Sequence, residues 1–475
     1  MAIAISIAAP EIFLLIMISI ILLADLYLPK NSRGLVYVLT QVSLLFSTGI
    51  LVYLWNLHTS FDFAGQFILD PLAILLKIGL CLAGFFAFCY GRAYNAAHHI
   101  PEGEFHILGL LSILGGMVLV SAASLLTVYL GLELLSLPLY ALIGMRRDSL
   151  HAVEAAVKYF IMGAIGSGFL LYGFSLIYGL SGELRLDLIL AHLSHTSLYD
   201  PVFLFGVMFI VAALGFKFGA VPFHAWVPDV YQGSPTSVST FLATVPKIAA
   251  LGMFLRVLSQ TLPDWQMEWS QVLMILAVLS LFLGNVVAVV QTNIKRMLGY
   301  SAISHVGFIF LALSLGSVAG DRAALFYMLV YALSTAAAFG LLLLLTRQGV
   351  EADTWDDLRG MNQENSWFAF MMLLVMLSMA GIPPLVGFEA KFFVLQALFT
   401  QHHEGLVVYA LLMSVVGAYY YIRIVKLMYF EGPVKGHHIK MNSPSALVMV
   451  SGNTLLVLVL GLLPSALYTL CGLAF

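Results

Sequence analysis

Charge is scarce in this sequence. Only 9% of its 475 residues are charged while 61% are hydrophobic, more apolar surface than a soluble core can absorb. A soluble globular protein is thereby excluded, and a polytopic membrane protein is expected. Basic and acidic residues nearly balance, 21 against 24, and no basic run interleaves with aromatics, which excludes a nucleic-acid surface. Cysteine is almost missing. Cys81, Cys89 and Cys471 lie in apolar runs at spacings that fit neither a zinc site nor an iron–sulfur ligand set. There is no GxxxxGK followed by Ser or Thr and no strand-borne GxGxxG, so no loop for ATP or NADH is expected. No lysine or arginine precedes Lys30, so the first apolar run lacks the basic segment of a cleaved signal peptide and is expected to persist as a helix. Long polar segments are missing too. The stretches 57–68, 92–105, 181–200, 347–366 and 431–444 are too small for a soluble domain.

What is there is a series of apolar runs. A bilayer core takes about 20 mostly apolar residues per helix, which predicts helices over 10–29, 34–56, 69–91, 106–122, 124–144, 154–179 and 203–226. A second set follows over 237–258, 270–290, 296–316, 323–346, 367–400, 404–428 and 445–471. The fold class is all-α and polytopic, with about 14 transmembrane helices. Odd-numbered connections carry Lys30, Arg33, Arg92, Arg146, Arg147, Lys295, Arg296, Arg347, Arg359, Lys435 and Lys440; even-numbered ones carry Arg185 and Arg322, with Arg256 in the last turn of helix 8. Because cytoplasmic loops collect the basic residues, both termini are expected outside the cytoplasm. One missed or invented helix near the middle would erase this bias. Arg423 and Lys426 agree with a cytoplasmic end for helix 13.

Some ionisable residues fall where charge is costly. At about 1.5 Å rise per residue, Glu133 lies about 14 Å into helix 5, Lys217 about 21 Å into helix 7, Lys247 about 15 Å into helix 8, His305 about 14 Å into helix 10, and Lys391 about 14 Å from the end of helix 12. All five sit near the midplane, where a lysine or carboxylate costs roughly 2.5–3.5 kcal/mol on insertion scales. A structural ion pair with Glu133 is the plainer alternative, but one carboxylate cannot serve three lysines. Burial disfavours the charged form of an ammonium and brings it towards reversible protonation, and imidazole can donate on one side while accepting on the other. These are the properties of a proton relay. Lys158 follows Glu154 by four residues, so an ordinary pair near the cytoplasmic interface competes with a relay role. Lys77 has no partner on its own helix; its long stem can snorkel towards Asp70 or the outer surface, and a structural role is expected for it.

Two stretches break the helical pattern. In "LGFKFGAVPFHAWVPDVYQGSP" (214–235), Pro222 and Pro228 interrupt a helix that also carries Lys217, His224 and Asp229. In "LSMAGIPPLVGFEAKFF" (377–393), Pro383 and Pro384 precede Lys391. Non-helical backbone at membrane depth is tolerated where protein or a watery cavity surrounds it, so each break is expected to mark an internal path and not a lipid face. The broken helices are five apart, and an odd offset implies two inverted five-helix repeats, helices 4–8 and 9–13. The expected organisation is one membrane domain over 1–475, with helices 1–3 in 1–105, the repeats in 106–258 and 270–428, and a final helix in 445–471.

The motifs "LGLELLSLPLYAL" around Glu133, "KFGAVPFHAWVPDVYQGSP" from Lys217, "STFLATVPKIA" ending near Lys247, "QTNIKRMLGYSAISHVGF" around His305 and "GIPPLVGFEAKFFVL" around Lys391 are specific together. Over essentially the whole chain the sequence resembles the antiporter-like membrane subunits of bacterial respiratory complex I, the NADH–quinone oxidoreductase. Within that family it is most similar to the N type: the M type has glutamate at the helix 12 lysine, and the L type carries a long C-terminal extension. The resemblance implies proton translocation through Glu133, Lys217, Lys247, His305 and Lys391, with Lys158 and His224 as weaker members. It implies that Glu133 holds Lys217 charged in one state and releases it in another. It further implies no cofactor or metal on this chain, with NADH, FMN, iron–sulfur clusters and quinone in partner subunits, and M-type, K-type and J-type neighbours in the bacterial inner membrane. Glu389 departs from the family pattern, which has an apolar or small residue there, and stands close enough in sequence to hold Lys391 charged.

Two other classes compete. A cation/proton antiporter would exchange Na⁺ or K⁺ over the same lysines, but a sodium site favours carboxylates or unwound carbonyls, and charged lysines repel cations. An inert membrane scaffold would leave the insertion cost of the lysines unexplained.

Overall fold

The computed structural model describes residues 7–27, 29, 34–56, 59–193, 200–347, 350–433, 440–441 and 444–475. Among the described residues thirteen helical spans are long and apolar enough to cross a membrane. They are Ala9–Tyr27, Gly34–Leu54, Pro71–Ala97, Glu102–Val120, Leu125–Ile143 and Leu150–Ser181 (helices 1–6), then Pro201–Phe218 (7), Thr236–Gln260 (8), Pro263–Val289 (9), Ile294–Leu313 (10) and Val318–Leu343 (11), and finally Glu404–Phe430 (13) and Pro444–Leu462 (14). Helix 12 is the fourteenth, in two halves too short to span alone, Ser366–Ala380 and Val386–Thr400. The all-helical fold expected from hydropathy is the one observed.

Starts are fixed by side-chain caps. Asp70 accepts from the Ala73 amide at 2.8 Å before Pro71, and Asp200, Asn293, Ser317 and Asn365 do the same for helices 7, 10, 11 and 12. Each satisfies an amide that a helix start leaves orphaned. Helices 8, 10 and 11 form the centre, with about nine-tenths of their apolar spans buried, whereas no more than a third of the spans of helices 1, 13 and 14 is buried. Large apolar side chains such as Leu130, Phe160, Phe282 and Val415 face outward, as lipid or a partner subunit requires.

The connections sort by parity. At one end Arg146, Lys295 and Glu351, from connections 5, 9 and 11, meet in ion pairs, Arg359 of connection 11 reaches Glu431 of connection 13, and strand Leu345–Arg347 pairs with both Val350–Glu351 and Lys440–Met441. At the other end the hairpin of Ser60–Asp62 and Phe67–Leu69 touches Ala122, Ser124 bridges Arg185, and Ser259 donates to Asp321. Odd connections meet odd and even meet even, so the helix count has the right parity. Lys30, Arg33 and Lys435 lie outside the described residues, as does the side chain of Lys440.

Several boundaries differ from expectation. Helix 7 stops at Phe218 and resumes as Trp226–Gly233, and helix 14 is followed, after Leu463, by a separate turn at Pro464–Gly472. Helix 8 is itself interrupted at Ala243 and Thr244 and ends in a π-helical turn, Leu255–Gln260. Pro246 has no N–H to continue the ladder, and no other feature of the apolar run marks that interruption.

Candidate functional site: lysines on broken helices

Both breaks turn on a left-handed glycine. Helix 7 closes on Gly219 (φ +70°) and the first half of helix 12 on Gly381 (φ +85°), and three residues later come Pro222 and Pro384, each after a cis peptide bond. A side chain would be strained in this backbone region. It would also collide: a Cβ on Gly219 would lie 2.4 Å from Val227, and one on Gly381 2.8 Å from Lys391.

A broken helix leaves carbonyls without amides, and the buried lysines supply donors. Lys247 Nζ donates to Phe218 O, the last residue before Gly219, and Lys391 Nζ donates to Ala380 O, the last residue before Gly381, at 2.8 Å. The same carbonyl in each break is therefore met by a lysine, from helix 8 in one case and from the second half of helix 12 in the other. Trp226 Nε1 takes Phe216 O at 3.1 Å, and Ser280 accepts from the Val221 amide at 2.9 Å. The C-terminal end of a helix carries partial negative charge, which favours a cation there, yet a neutral amine still has hydrogens to donate. Both protonation states fit.

Lys217, the third lysine, donates to Ser136 Oγ at 3.0 Å. Glu133, one turn earlier on helix 5, accepts from Ser167 Oγ at 2.5 Å. Among the described residues no ion pair within 4 Å joins Glu133 to Lys217, so the two are near neighbours held apart on separate hydroxyls.

His305 is fully engaged. Its Nδ1 meets Tyr327 Oη at 2.8 Å and its Nε2 meets Tyr421 Oη at 3.1 Å, and Tyr421 Oη also meets Ser301 Oγ. His305 and Lys391 line one small cavity with Asn285, Ser304, Tyr420 and Tyr421. Its volume of about 10 Å³ is at the lower limit of what one water needs. No hydrogen bond among the described residues joins Lys217 to Lys247 or Lys247 to His305; Phe218 of helix 7 meets Phe310 of helix 10 edge-on, with ring centroids 5.0 Å apart.

The weaker candidates sit elsewhere. Lys158 bonds Glu154 at 2.7 Å and Asp229 at 2.8 Å, and Asp229 also takes Arg296 at 2.6 Å. These groups line an open cleft of about 430 Å³ at the odd end. Burial raises the Asp229 carboxyl, but the bonds from Lys158 and Arg296 outweigh it and hold it below its ordinary value. His224 is half-buried in the helix 7 break with no hydrogen-bond partner for Nδ1, and no described contact ties it to the lysines.

Three expectations are corrected. Lys77 does not snorkel: its side chain is fully buried and meets Glu11 of helix 1 at 2.6 Å, while Asp70 is taken by Arg256 through two bonds of 2.6 and 2.7 Å. Glu11 sits so near the start of helix 1 that sequence depth gave it no partner. The breaks are not wholly internal. Pro222 and Ala225, and Pro383 and Pro384, are exposed, while Gly219 to Val221 are buried; proline has no N–H, so facing it outward orphans no donor. Glu389 does not hold Lys391, because residues two apart on a helix do not share a face, and Glu389 is half-exposed where Lys391 points inward.

Ser136, Ser167, Ser301, Tyr327 and Tyr421 went unnoticed in the sequence. Serines in membrane helices commonly bond back to their own backbone, as Ser136 also does to Leu132 O at 2.7 Å, and Tyr421 lies in "GAYYYIRIVK", which reads as an interfacial aromatic belt. Glu351 was also missed. It is a carboxylate on the short strand Val350–Glu351 of connection 11, on which Lys295, Arg146, Tyr94 and Thr236 converge.

Comparison with known proteins gives a consistent set. The profile of the family described as NADH:quinone oxidoreductase/Mrp antiporter, transmembrane, matches residues 122–417. NADH-quinone oxidoreductase subunit N of Coxiella burnetii is 47% identical over 474 residues, 98% of each chain, and that of Ruthia magnifica subsp. Calyptogena magnifica is 50% identical over 96% of this chain and 95% of its own. A chain of respiratory complex I from Thermus thermophilus with bound aureothin superposes with a TM-score of 0.81 at 31% identity, covering 97% of this chain and 98% of that one. A chain of the Mrp complex from Dietzia sp. shares the fold, with a TM-score of 0.85 at 19% identity over 98% and 97% of the two chains.

Proposed function

We propose, for a chain that belongs to the NADH:quinone oxidoreductase/Mrp antiporter membrane family and within it to the subunit N group, that it is a proton-translocating membrane subunit of a bacterial NADH–quinone oxidoreductase. One observation carries the reading. Lys217, Lys247 and Lys391 are each buried on a neutral oxygen, a serine hydroxyl or a helix-end carbonyl, whereas Lys77 is locked to a carboxylate. A lysine on a neutral acceptor can lose its proton without stranding a buried anion. A lysine on a carboxylate cannot.

In this reading Glu133 and Lys217 form the switch. Drawn to Glu133, Lys217 holds its proton; turned to Ser136, as here, it is free to pass the proton inward. Lys247 then accepts it at the first break, His305 carries it into the second unit, and Lys391 receives it through the cavity they share. Lys158, beside Asp229 in the open cleft, is at the intake side, and His224 is a lesser member of the same side. The chain does no redox chemistry. NADH, FMN, iron–sulfur clusters and quinone belong to partner subunits, and M-type, K-type and J-type subunits are its neighbours. Helices 4–8 and 9–13 form two inverted repeats. The odd end faces the cytoplasm and both termini face the periplasm of the inner membrane.

Tagging the chain after Phe475 and purifying it in mild detergent tests this membership. A large assembly with NADH–quinone reductase activity is expected. Recovery of the chain alone, or with antiporter subunits only, together with Na⁺-driven or K⁺-driven proton movement, contradicts it.

A further inference from the structure

We propose that Tyr421 carries protons in the second unit, passing them between Ser301 and His305 along a hydrogen-bonded hydroxyl wire that joins the main lysine axis from helix 13. This rests on the relay reading above and extends it to a residue outside the lysine series.

The geometry is an unbroken chain, Ser301 Oγ, Tyr421 Oη, His305 Nε2, then Nδ1 and Tyr327 Oη, drawn from helices 10, 13 and 11. Ser301, Tyr327 and Tyr421 are all buried. A neutral imidazole has one N–H and one bare nitrogen, so the chain has two complete polarities. In one, Ser301 donates to Tyr421, Tyr421 to Nε2, and Nδ1–H to Tyr327. In the other, Tyr327 donates to Nδ1, Nε2–H to Tyr421, and Tyr421 to Ser301. Every group takes part in a hydrogen bond in both.

A proton arriving at Ser301 Oγ displaces the serine proton to Tyr421 Oη, whose own proton moves to His305 Nε2 and leaves an imidazolium. That imidazolium gives up its Nε2 proton through the cavity that His305, Tyr421 and Lys391 share, so the Nδ1–H form of the ring remains and the neutral Lys391 amine becomes an ammonium. One proton has moved, no charge is left behind, and rotation of the two hydroxyls restores the first polarity. Ser301 lies one turn from His305 towards Lys295, so the wire points to the odd end of the bundle. Hydroxyls placed only to satisfy a buried histidine would need no continuation from Tyr421 to Ser301.

The test uses the whole complex in inside-out vesicles, with acidification measured per assembled complex for Tyr421→Phe, Ser301→Ala and Lys391→Met. Tyr421→Phe removes one oxygen and keeps the buried ring, and Ser301→Ala tests the same wire should the first variant assemble poorly. The expected result is loss of acidification in all three. Wild-type acidification in Tyr421→Phe and Ser301→Ala beside a dead Lys391→Met overturns the wire and leaves the lysine relay standing. Wild-type acidification in all three overturns both.

Discussion

A lysine amine on a helix-end carbonyl has two uses at once, as a cap for an orphaned acceptor and as a proton carrier, and substitution separates them. Arginine in place of Lys391 keeps a cation and a donor on Ala380 O but does not give up its proton. Lys391→Arg should therefore retain the assembled complex and lose acidification, whereas Lys391→Met should lose acidification and also about 1–3 kcal/mol of stability from the unpaired carbonyl. Thermal denaturation of the purified complex beside vesicle acidification reads both; an active Lys391→Arg would reduce the lysine to a cap. At this scale the sequence was informative wherever burial is costly. Depth alone picked out Glu133, Lys217, Lys247, His305 and Lys391, because each is an ionisable group in an apolar run. It was silent on Ser136, Ser301 and Tyr421, since a hydroxyl costs little in a helix and gives no sign of which neighbour it meets. It gave Lys77 a structural role but missed its partner, Glu11, which lies sixty-six positions away in the sequence.

The broken helices depend on backbone that glycine alone adopts without strain. Alanine at Gly381, held at φ +85° with Lys391 Cδ 2.8 Å from the new Cβ, should cost about 1–2 kcal/mol from the left-handed backbone and more from displacing Lys391. A methyl added at Gly405 would meet no atom within 4 Å, so Gly405→Ala serves as the control. Melting temperatures that fall for Gly381→Ala and hold for Gly405→Ala are the expected pair, and equal values would show that the turn tolerates a side chain. Prolines made the breaks in helices 7 and 12 legible, since a ring without an N–H removes a ladder bond from a helix interior, although Pro138 lies inside helix 5 without ending it. The direction those prolines face was not legible, because outward or inward orientation depends on neighbours that hydropathy does not name. The interruption of helix 8 at Ala243 and Thr244 was hidden by an unbroken apolar run.

Across the whole molecule the two halves are tied at the odd end through Glu351. Burial pushes its carboxyl up, but Lys295, with hydrogen bonds from Lys295, Tyr94 and Thr236, outweighs burial and holds it down at about 2, against an ordinary value of about 4.3. A lowered folded value means stability that is complete above about pH 4.3 and is lost as the pH falls towards 2, at most about 3 kcal/mol. Hydrogen exchange around 350–360 should therefore quicken between pH 5 and pH 3, once corrected for the intrinsic pH dependence of exchange, and Glu351→Gln should show the faster exchange already at pH 7. Unchanged corrected rates would mean the carboxylate ties nothing together. Hydropathy and basic-residue bias gave the parity by which the described connections sort, because each span must cross once; the Glu351 junction depends on loops folding over one another, which no periodicity encodes. The measurement that bears most directly on proton translocation is NADH-driven acidification of inside-out vesicles carrying Lys217→Met at normal levels of assembled complex. Acidification abolished or strongly reduced is the predicted result, and acidification at the wild-type rate would contradict the relay.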